Sequence, residues 1–397
     1  MFFSWYKKFS SQPHQPFFVS GILFFILFMS LFVSIYSNII TLDSSILTYH
    51  AYSMIFVIFI QFFLGFLFVV FPRFLIQAEI EIKTYMKQFL LYFFASLGVL
   101  LTLVFYSKAT FIFQILMLIA QIMSFNLLYS IHKKSIVKVK EDTKWILIAF
   151  FAGLVSHGLF IISSFDFSYS YVVSKFAINI GFYLFIFMII FTISQRMIPF
   201  FTTAKAPDYK INKSENLLKL VFIFLALKVV LLSFDNVKLN LISDIPLFII
   251  IAKELIKWKL PLFKVPAIMW VLYIGLYWIP VAFGISIIES LMAFYDPNII
   301  FEKAVIHTLA LGYFITLLVG FGTRVILGHS GSTIHANNFA IFIFISVQII
   351  VILRIFTSFS LNFGFDYVAL LNLTASLLII GLFLWSSKYI VILIKGK

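Results

Sequence analysis

Three histidines lie inside long apolar stretches of this sequence, where polar side chains are uncommon. They are His50, His157 and His307, and the last of them lies near the start of VIHTLALGYFITLLVGFGTRVILGHSG. Neutral imidazole is a common metal ligand, and ionisable groups within membrane-spanning helices are usually functional. We therefore predict that His50, His157 and His307 bind a metal ion or a haem. The alternative is that each imidazole is a hydrogen-bonded group of the protein interior.

A second group of candidate residues lies toward the opposite ends of the predicted helices. Arg196 and Arg324 carry guanidinium groups, which bind carboxylates through two hydrogen bonds, and His329 follows shortly after Arg324. Together they could bind an anion such as a haem propionate. At about 1.5 Å per helical residue, the arginines lie about 20 Å along the helix axis from the level of the three histidines named above. One haem cannot easily reach both, so either there are two sites or the arginines have another purpose. His132 and His335 are interpreted as solvated or loop residues.

The composition indicates the kind of element that positions these residues. Of the 397 residues 63% are hydrophobic and only 11% are charged, whereas soluble domains average about 45–50% and about 25%. The chain is therefore expected in a lipid bilayer. Its first long apolar segment is interpreted as a transmembrane helix and not as a signal peptide. Cysteine is absent from the sequence, which excludes disulfides and thiolate metal sites.

Twelve segments are apolar enough to be candidate membrane crossings, since a crossing needs roughly 20 apolar residues. They are residues 16–40, 47–71, 86–106, 110–131, 144–164, 173–194, 216–234, 239–257, 267–290, 302–323, 339–356 and 366–394. The sequence therefore predicts an all-α integral membrane protein with about twelve transmembrane helices. Residues 1–397 are expected to form a single polytopic domain with short loops.

The charges of the intervening loops alternate along the chain. Loops of one set hold most of the 29 basic residues, for example in HKKSIVKVKEDTK, whereas the other set holds acidic residues such as Asp43 together with Arg354. Lys and Arg accumulate on the cytoplasmic side. Both termini are therefore predicted to be cytoplasmic, and the three histidines fall in the outer half, at roughly 5–10 Å depth. The net charge of +14 then reflects the Lys and Arg residues of the cytoplasmic loops. A nucleic-acid partner is not expected, because no basic loop forms a domain.

A regular spacing relates three of the predicted helices. The second, sixth and tenth each run inward to an arginine, namely Arg73 in FPRF, Arg196 in SQRM and Arg324 in GTRV. The interval of four helices suggests three four-helix units. The simpler alternative is that arginines mark the inner ends of helices in any membrane protein. Pro199 is expected to break the sixth helix, and the polar run after it fits an ordered inner loop.

Two charges lie within predicted helices rather than at their ends. Lys228 and Asp244 lie at equal distances in sequence from Asn236, the centre of the short hairpin between the seventh and eighth helices. Antiparallel packing brings both to equal depth, and an unpaired buried charge costs several kcal/mol. We predict an ion pair with a structural role. The alternative is that Asp244 relays protons.

Several motifs resemble the NnrS family of bacterial membrane proteins. They are HQPFFVSGILFF, LTYHAYSMIFVIFIQFFLGFL, SQRMIPFFT and IHTLALGYFITLLVGFGTRVILGHSG, and the resemblance spans most of the chain. It implies a twelve-helix protein of the bacterial inner membrane that contains haem and copper. It further implies a link to nitric oxide metabolism and protection from nitrosative stress.

One of these motifs departs from the family's pattern. The family usually has tryptophan, histidine, alanine, histidine, glutamate and methionine in succession. Here His50 is kept, but Tyr52 and Ser53 replace the second histidine and the glutamate. If the second histidine is a copper ligand, this chain lacks copper or binds it differently.

The spacing of the second, sixth and tenth helices also resembles that of the catalytic subunit of haem–copper oxidases and nitric oxide reductases. By that similarity His50 and His307 would be the axial pair of a b-type haem. Nitric oxide is small and apolar, so it would reach a site in the bilayer through the lipid. An oxidase-type binuclear centre is not expected, because the histidines that form it are absent. Whether the protein turns over, senses or buffers nitric oxide stays open.

Two other classes of protein remain as alternatives. One is a secondary transporter of a small solute, which would need midplane polar sites and discontinuous helices, with Pro280, Gly320 and Gly322 as candidate breaks. The other is a non-catalytic subunit of a respiratory complex, which would bind no metal and would co-purify with partners.

Overall fold

A computed structural model describes residues 2–165, 167–206 and 208–395. A short helix, Phe2–Phe9, precedes twelve long helices, which we number α1 to α12. In order they are His14–Tyr36, Ile46–Phe74, Ile82–Phe105, Ser107–Lys134, Glu141–Ser163, Ser170–Thr203, Leu217–Phe234, Leu241–Trp258, Ala267–Tyr295, Ala304–His329, Asn338–Phe363 and Tyr367–Lys395. The described residues form helices and loops and no strand, which confirms the all-α prediction.

Within the described residues, eleven helices are long and apolar enough to cross a membrane. The exception among the twelve long helices is α8, which carries Asp244, Lys253, Glu254 and Lys257 within its 18 residues. The protein is therefore a multi-pass membrane protein, and its environment is a lipid bilayer.

Helices α2, α6 and α10 are more buried than the others. In the most apolar 18-residue segment of each, 89%, 83% and 78% of the residues are buried. In the other membrane-crossing helices this share ranges from 33% to 56%. In α2, no side chain from Ser53 to Phe71 is exposed. A helix that is apolar on all sides belongs in a protein interior. These are also the three helices that carry Arg73, Arg196 and Arg324 toward their ends.

The same three helices contain wider, π-helical turns. These are Ser53–Phe59 in α2, Ile180–Phe187 in α6 and Thr308–Ile315 in α10. The first begins three residues after His50, and the third begins directly after His307. Such turns are rare and often lie at functional sites. High burial, a π-helical turn and an arginine thus all occur in the same three helices, which are four apart in order.

The predicted break at Pro199 is wrong, because α6 continues through it to Thr203. Proline removes one backbone donor, but membrane helices tolerate this where neighbouring groups satisfy the backbone. Helix α9 likewise continues through Pro280, and α10 continues through Gly320 and Gly322. None of these residues interrupts a helix in the way that the transporter alternative requires.

The polar run after α6 is held by hydrogen bonds to the last turns of α8. Tyr209 Oη donates to the Trp258 carbonyl at 2.9 Å, and Glu254 Oε1 accepts from the Ser214 backbone N–H at 2.8 Å. Glu254 Oε1 also accepts from Trp258 Nε1 at 2.8 Å. Burial raises the pKa of Tyr209 to about 12. The phenol is therefore a protonated donor at neutral pH.

The chain divides into two compact units. The first comprises the residues up to Ile189 together with those from Ser386 onward, and the second comprises Ile190–Trp385. The prediction that the chain is one polytopic domain with cytoplasmic termini stays a prediction.

Each unit has its own buried core. In the first, the Phe17 ring of α1 packs edge-on against Phe68 of α2, with centroids 5.6 Å apart. In the second, the hydroxyls of Ser194 in α6 and Tyr313 in α10 lie 3.0 Å apart, and both side chains are buried. Aromatic rings fill the interior, and a few hydrogen-bonded hydroxyls link the buried helices.

Candidate functional site

His50 lies near the start of α2, three residues before the helix widens into its π-helical turn. The side chain is half-buried, and its ring centroid is 4.6 Å from that of Phe32 in α1. Ser53 Oγ donates to the His50 carbonyl at 3.0 Å. The imidazole is therefore placed at the boundary between regular helix and π-helical turn.

His307 occupies a similar position in α10, directly before the π-helical turn. Its Nδ1 lies 3.0 Å from the carbonyl oxygen of Lys303 and 3.1 Å from Nη2 of Arg354 in α11. A ligating histidine usually donates one ring N–H to a carbonyl or carboxylate and binds metal through the other nitrogen. The Lys303 carbonyl is such a partner, so Nε2 is the ring atom suited to a metal.

His157 is fully buried in α5, and both ring nitrogens contact protein groups. Nδ1 lies 2.7 Å from Oε1 of Gln121 in α4, and Nε2 lies 3.0 Å from Oη of Tyr52 in α2. The amide oxygen only accepts, so Nδ1 carries the ring proton and the Tyr52 hydroxyl donates to Nε2. The Phe56 ring stacks on the imidazole with centroids 4.3 Å apart. This arrangement favours a hydrogen-bonded interior group over a metal ligand.

The three histidines are distributed over both units. His50 and His157 belong to the first, where Tyr52, two residues after His50, makes the contact with His157. His307 belongs to the second unit. Its pairing with His50 stays a prediction. Among the described residues, no group of three or more His, Cys, Asp or Glu side chains could hold a metal ion.

The predicted anion-binding residues lie toward the ends of α6 and α10 in the second unit. The guanidinium carbon of Arg324 is 3.7 Å from the centroid of the Phe201 ring, and Nη1 is 3.8 Å from Sδ of Met269. Such a cation–π contact is favourable when the group is partly desolvated. Arg196 lies earlier in α6 and His329 ends α10, and both are half-buried. Binding of an anion by Arg196, Arg324 and His329 stays a prediction.

The predicted ion pair between Lys228 and Asp244 is confirmed. Nζ lies 2.8 Å from each carboxylate oxygen, and the two side chains are 1% and 0% exposed. Asp244 also accepts from Ser286 Oγ at 2.5 Å and from Ser243 Oγ at 3.2 Å. The hairpin of α7 and α8 brings the charges to the same depth, and the hydroxyls complete the hydrogen bonding of the carboxylate.

The assignment of Arg354 to an outer loop is wrong. The residue lies inside α11 and is 4% exposed, and its Nη1 donates to Ser358 Oγ at 2.7 Å. The signal in the sequence is its place in the apolar run FIFISVQIIVILRIF, because a charge inside such a run is usually functional. Tyr52 and Gln121 carry a weaker signal, since uncharged polar residues have many roles in membrane helices.

The two histidines interpreted as solvated or loop residues have different surroundings. His132 is half-buried, and its Nδ1 lies 3.0 Å from Thr143 Oγ1, so the interpretation as a merely solvated group is wrong. Its place in a lysine-rich segment conceals that α5 packs beside it. His335 is an exposed residue outside the helices, as predicted.

These features define a class of protein, namely an all-α, multi-pass membrane protein whose three most buried helices each contain a π-helical turn. The chain matches the model of the NnrS protein family over residues 8–397. It therefore belongs to the NnrS family, as the motifs suggest. No match is found among curated proteins.

Proposed function

We propose that this protein binds a b-type haem in the bacterial inner membrane and acts in nitric oxide metabolism and nitrosative-stress defence. Membership of the NnrS family supports the proposal. The observation that carries it is the placement of His50 and His307, each just before a π-helical turn in a highly buried helix. When bound, haem would supply an iron centre able to bind nitric oxide.

The ring of His307 fits a haem ligand. When Nδ1 donates to the Lys303 carbonyl, which is 3.0 Å away, Nε2 is the ring atom suited to iron. His50 would be the second residue that holds the haem, and Arg196, Arg324 and His329 would bind an anion at the other ends of the helices. Nitric oxide is small and apolar, so it would reach the site through the lipid.

The described residues do not fit a copper centre with several histidine or carboxylate ligands. His157 uses both nitrogens in bonds to Gln121 and Tyr52. No cluster of three potential ligands is present in the described ranges. We therefore propose haem alone as the cofactor.

The proposal is tested by the absorption spectrum and haem content of protein purified after expression with ample haem. Wild type is expected to show a Soret band, and His50→Ala and His307→Ala are expected to lose most of it. His335→Ala is the matched control, because that imidazole is exposed outside the helices. If wild type shows no Soret band, the haem proposal fails. If both variants keep full haem, the ligand assignment fails.

A further inference from the structure

Arg354 places a guanidinium group inside α11, against the imidazole of His307. It is 4% exposed, and its Nη2 lies 3.1 Å from Nδ1 of His307. Its Nη1 donates to Ser358 Oγ at 2.7 Å. A charged side chain within a membrane helix is energetically costly and usually functional. The contact links this buried charge to the state of the His307 ring.

The Nδ1 atom of His307 has two neighbours with opposite requirements. The Lys303 carbonyl, 3.0 Å away, only accepts hydrogen bonds, whereas the guanidinium of Arg354 only donates them. If Nδ1 carries the ring proton, it donates to Lys303. If Nδ1 carries a lone pair, it accepts from Arg354 and the ring proton lies on Nε2. In a neutral ring, Nδ1 cannot satisfy both neighbours at once.

The bond from Arg354 is the stronger of the two. Hydrogen bonds with a charged partner are roughly twice as strong as those between neutral groups. The Lys303 carbonyl also accepts from the backbone N–H of His307 at 3.1 Å, so it has a partner without the ring. We propose that Arg354 is a positioning residue that donates to Nδ1 of His307 and keeps the ring proton on Nε2.

The consequence for ligand binding rests on the proposed haem function. Coordination through Nε2 needs the other tautomer, in which Nδ1–H donates to Lys303. The N–H bond on Nε2 breaks and one on Nδ1 forms, so the ring stays neutral and no net proton is gained or lost. Coordination thus gives up the Arg354 hydrogen bond. With haem bound, Arg354 would compete with coordination by His307, so nitric oxide would replace this histidine more readily than it would without Arg354.

The tautomer can be measured directly in haem-free protein. Nitrogen NMR of histidine-labelled protein at alkaline pH distinguishes a protonated from an unprotonated ring nitrogen, and His307→Gln identifies the signals of this residue. Wild type is expected to carry the proton on Nε2. Arg354→Met removes the donor and should move the proton to Nδ1, whereas Arg354→Lys keeps a charged donor and should retain the wild-type tautomer. A wild-type proton on Nδ1 would overturn the proposal, even if Arg354→Met does not fold.

A second measurement on haem-loaded protein separates this inference from the haem proposal. Arg354→Met should slow nitric oxide binding by roughly tenfold, the effect of losing about 1.4 kcal/mol of competition for Nδ1. Arg73→Met, which removes an exposed guanidinium paired with Glu79 at the end of α2, should leave that rate unchanged. An unchanged rate in Arg354→Met that binds haem normally contradicts the consequence drawn for the ligand. If wild type binds no haem, the haem proposal fails, while the NMR result still decides the tautomer.

Discussion

His157 and His307 are both imidazoles in membrane-spanning helices, yet their hydrogen-bonding partners differ in kind. His157 is fully buried, and a glutamine oxygen and a tyrosine hydroxyl make compatible bonds with its two nitrogens. His307 is half-buried, and its Nδ1 faces a carbonyl and a guanidinium that it cannot satisfy together. The first arrangement stabilises one protonation pattern, and the second allows two. We therefore expect His307 to exchange a hydrogen bond for a ligand more readily than His157, whose two ring nitrogens are both held by protein groups.

The Lys228–Asp244 pair gives a reference for the loss of stability expected at a buried polar group, because it is buried and hydrogen-bonded like His157. Lys228→Met should lower the free energy of unfolding by about 3–5 kcal/mol, since it leaves a buried carboxylate unpaired. Equilibrium unfolding in mixed micelles measures the change. The double variant Lys228→Met with Asp244→Leu is the control and should recover most of the loss. A fully stable Lys228→Met protein would contradict a structural role for the pair.

A smaller but clear loss is expected for His157→Leu. The change leaves Tyr52 Oη and Gln121 Oε1 without partners, and each buried orphan costs about 1–3 kcal/mol. Adding Tyr52→Phe and Gln121→Leu should restore much of the stability. Haem content should stay at the wild-type level in folded His157→Leu. Loss of haem from a stable variant would reverse the comparison and make His157 a ligand.

Tyr52→Phe should destabilise the protein by about 1–2 kcal/mol, because it removes only the hydrogen bond to Nε2 of His157. Thermal unfolding compared with Tyr106→Phe tests this expectation. Tyr106 is 64% exposed and is a suitable control for loss of a hydroxyl. Equal effects of the two variants would show that the Tyr52 bond contributes nothing to stability.

His307→Leu should lower the stability of haem-free protein by about 1–2 kcal/mol, less than His157→Leu. Nη2 of the buried Arg354 loses its bond to the ring, whereas Nη1 keeps Ser358 and the Lys303 carbonyl keeps its backbone partner. The same variant should lose haem. Unfolding of haem-free His307→Leu beside His157→Leu therefore sharpens the comparison directly. If both substitutions destabilise equally, competing partners do not distinguish ligand histidines from interior ones.

Features that depend on local sequence were predicted well. Long apolar runs located the membrane helices, because crossing a bilayer demands length and hydropathy from each segment alone. The Lys228–Asp244 pair followed from hairpin symmetry, since the two residues are only 16 apart in sequence. Pro199 was misjudged because the tolerance of a helix for proline depends on groups that surround it.

The sequence by itself determined the fold class and the family, because hydropathy and motifs act along one segment at a time. Only the tertiary structure decided what each imidazole contacts. Tyr52 and His157 are 105 residues apart, and His307 and Arg354 are 47 apart. Such contacts depend on the face that each helix turns toward its neighbour. Packing across helices sets that face, and in helices that are apolar on nearly every side the sequence carries little record of it.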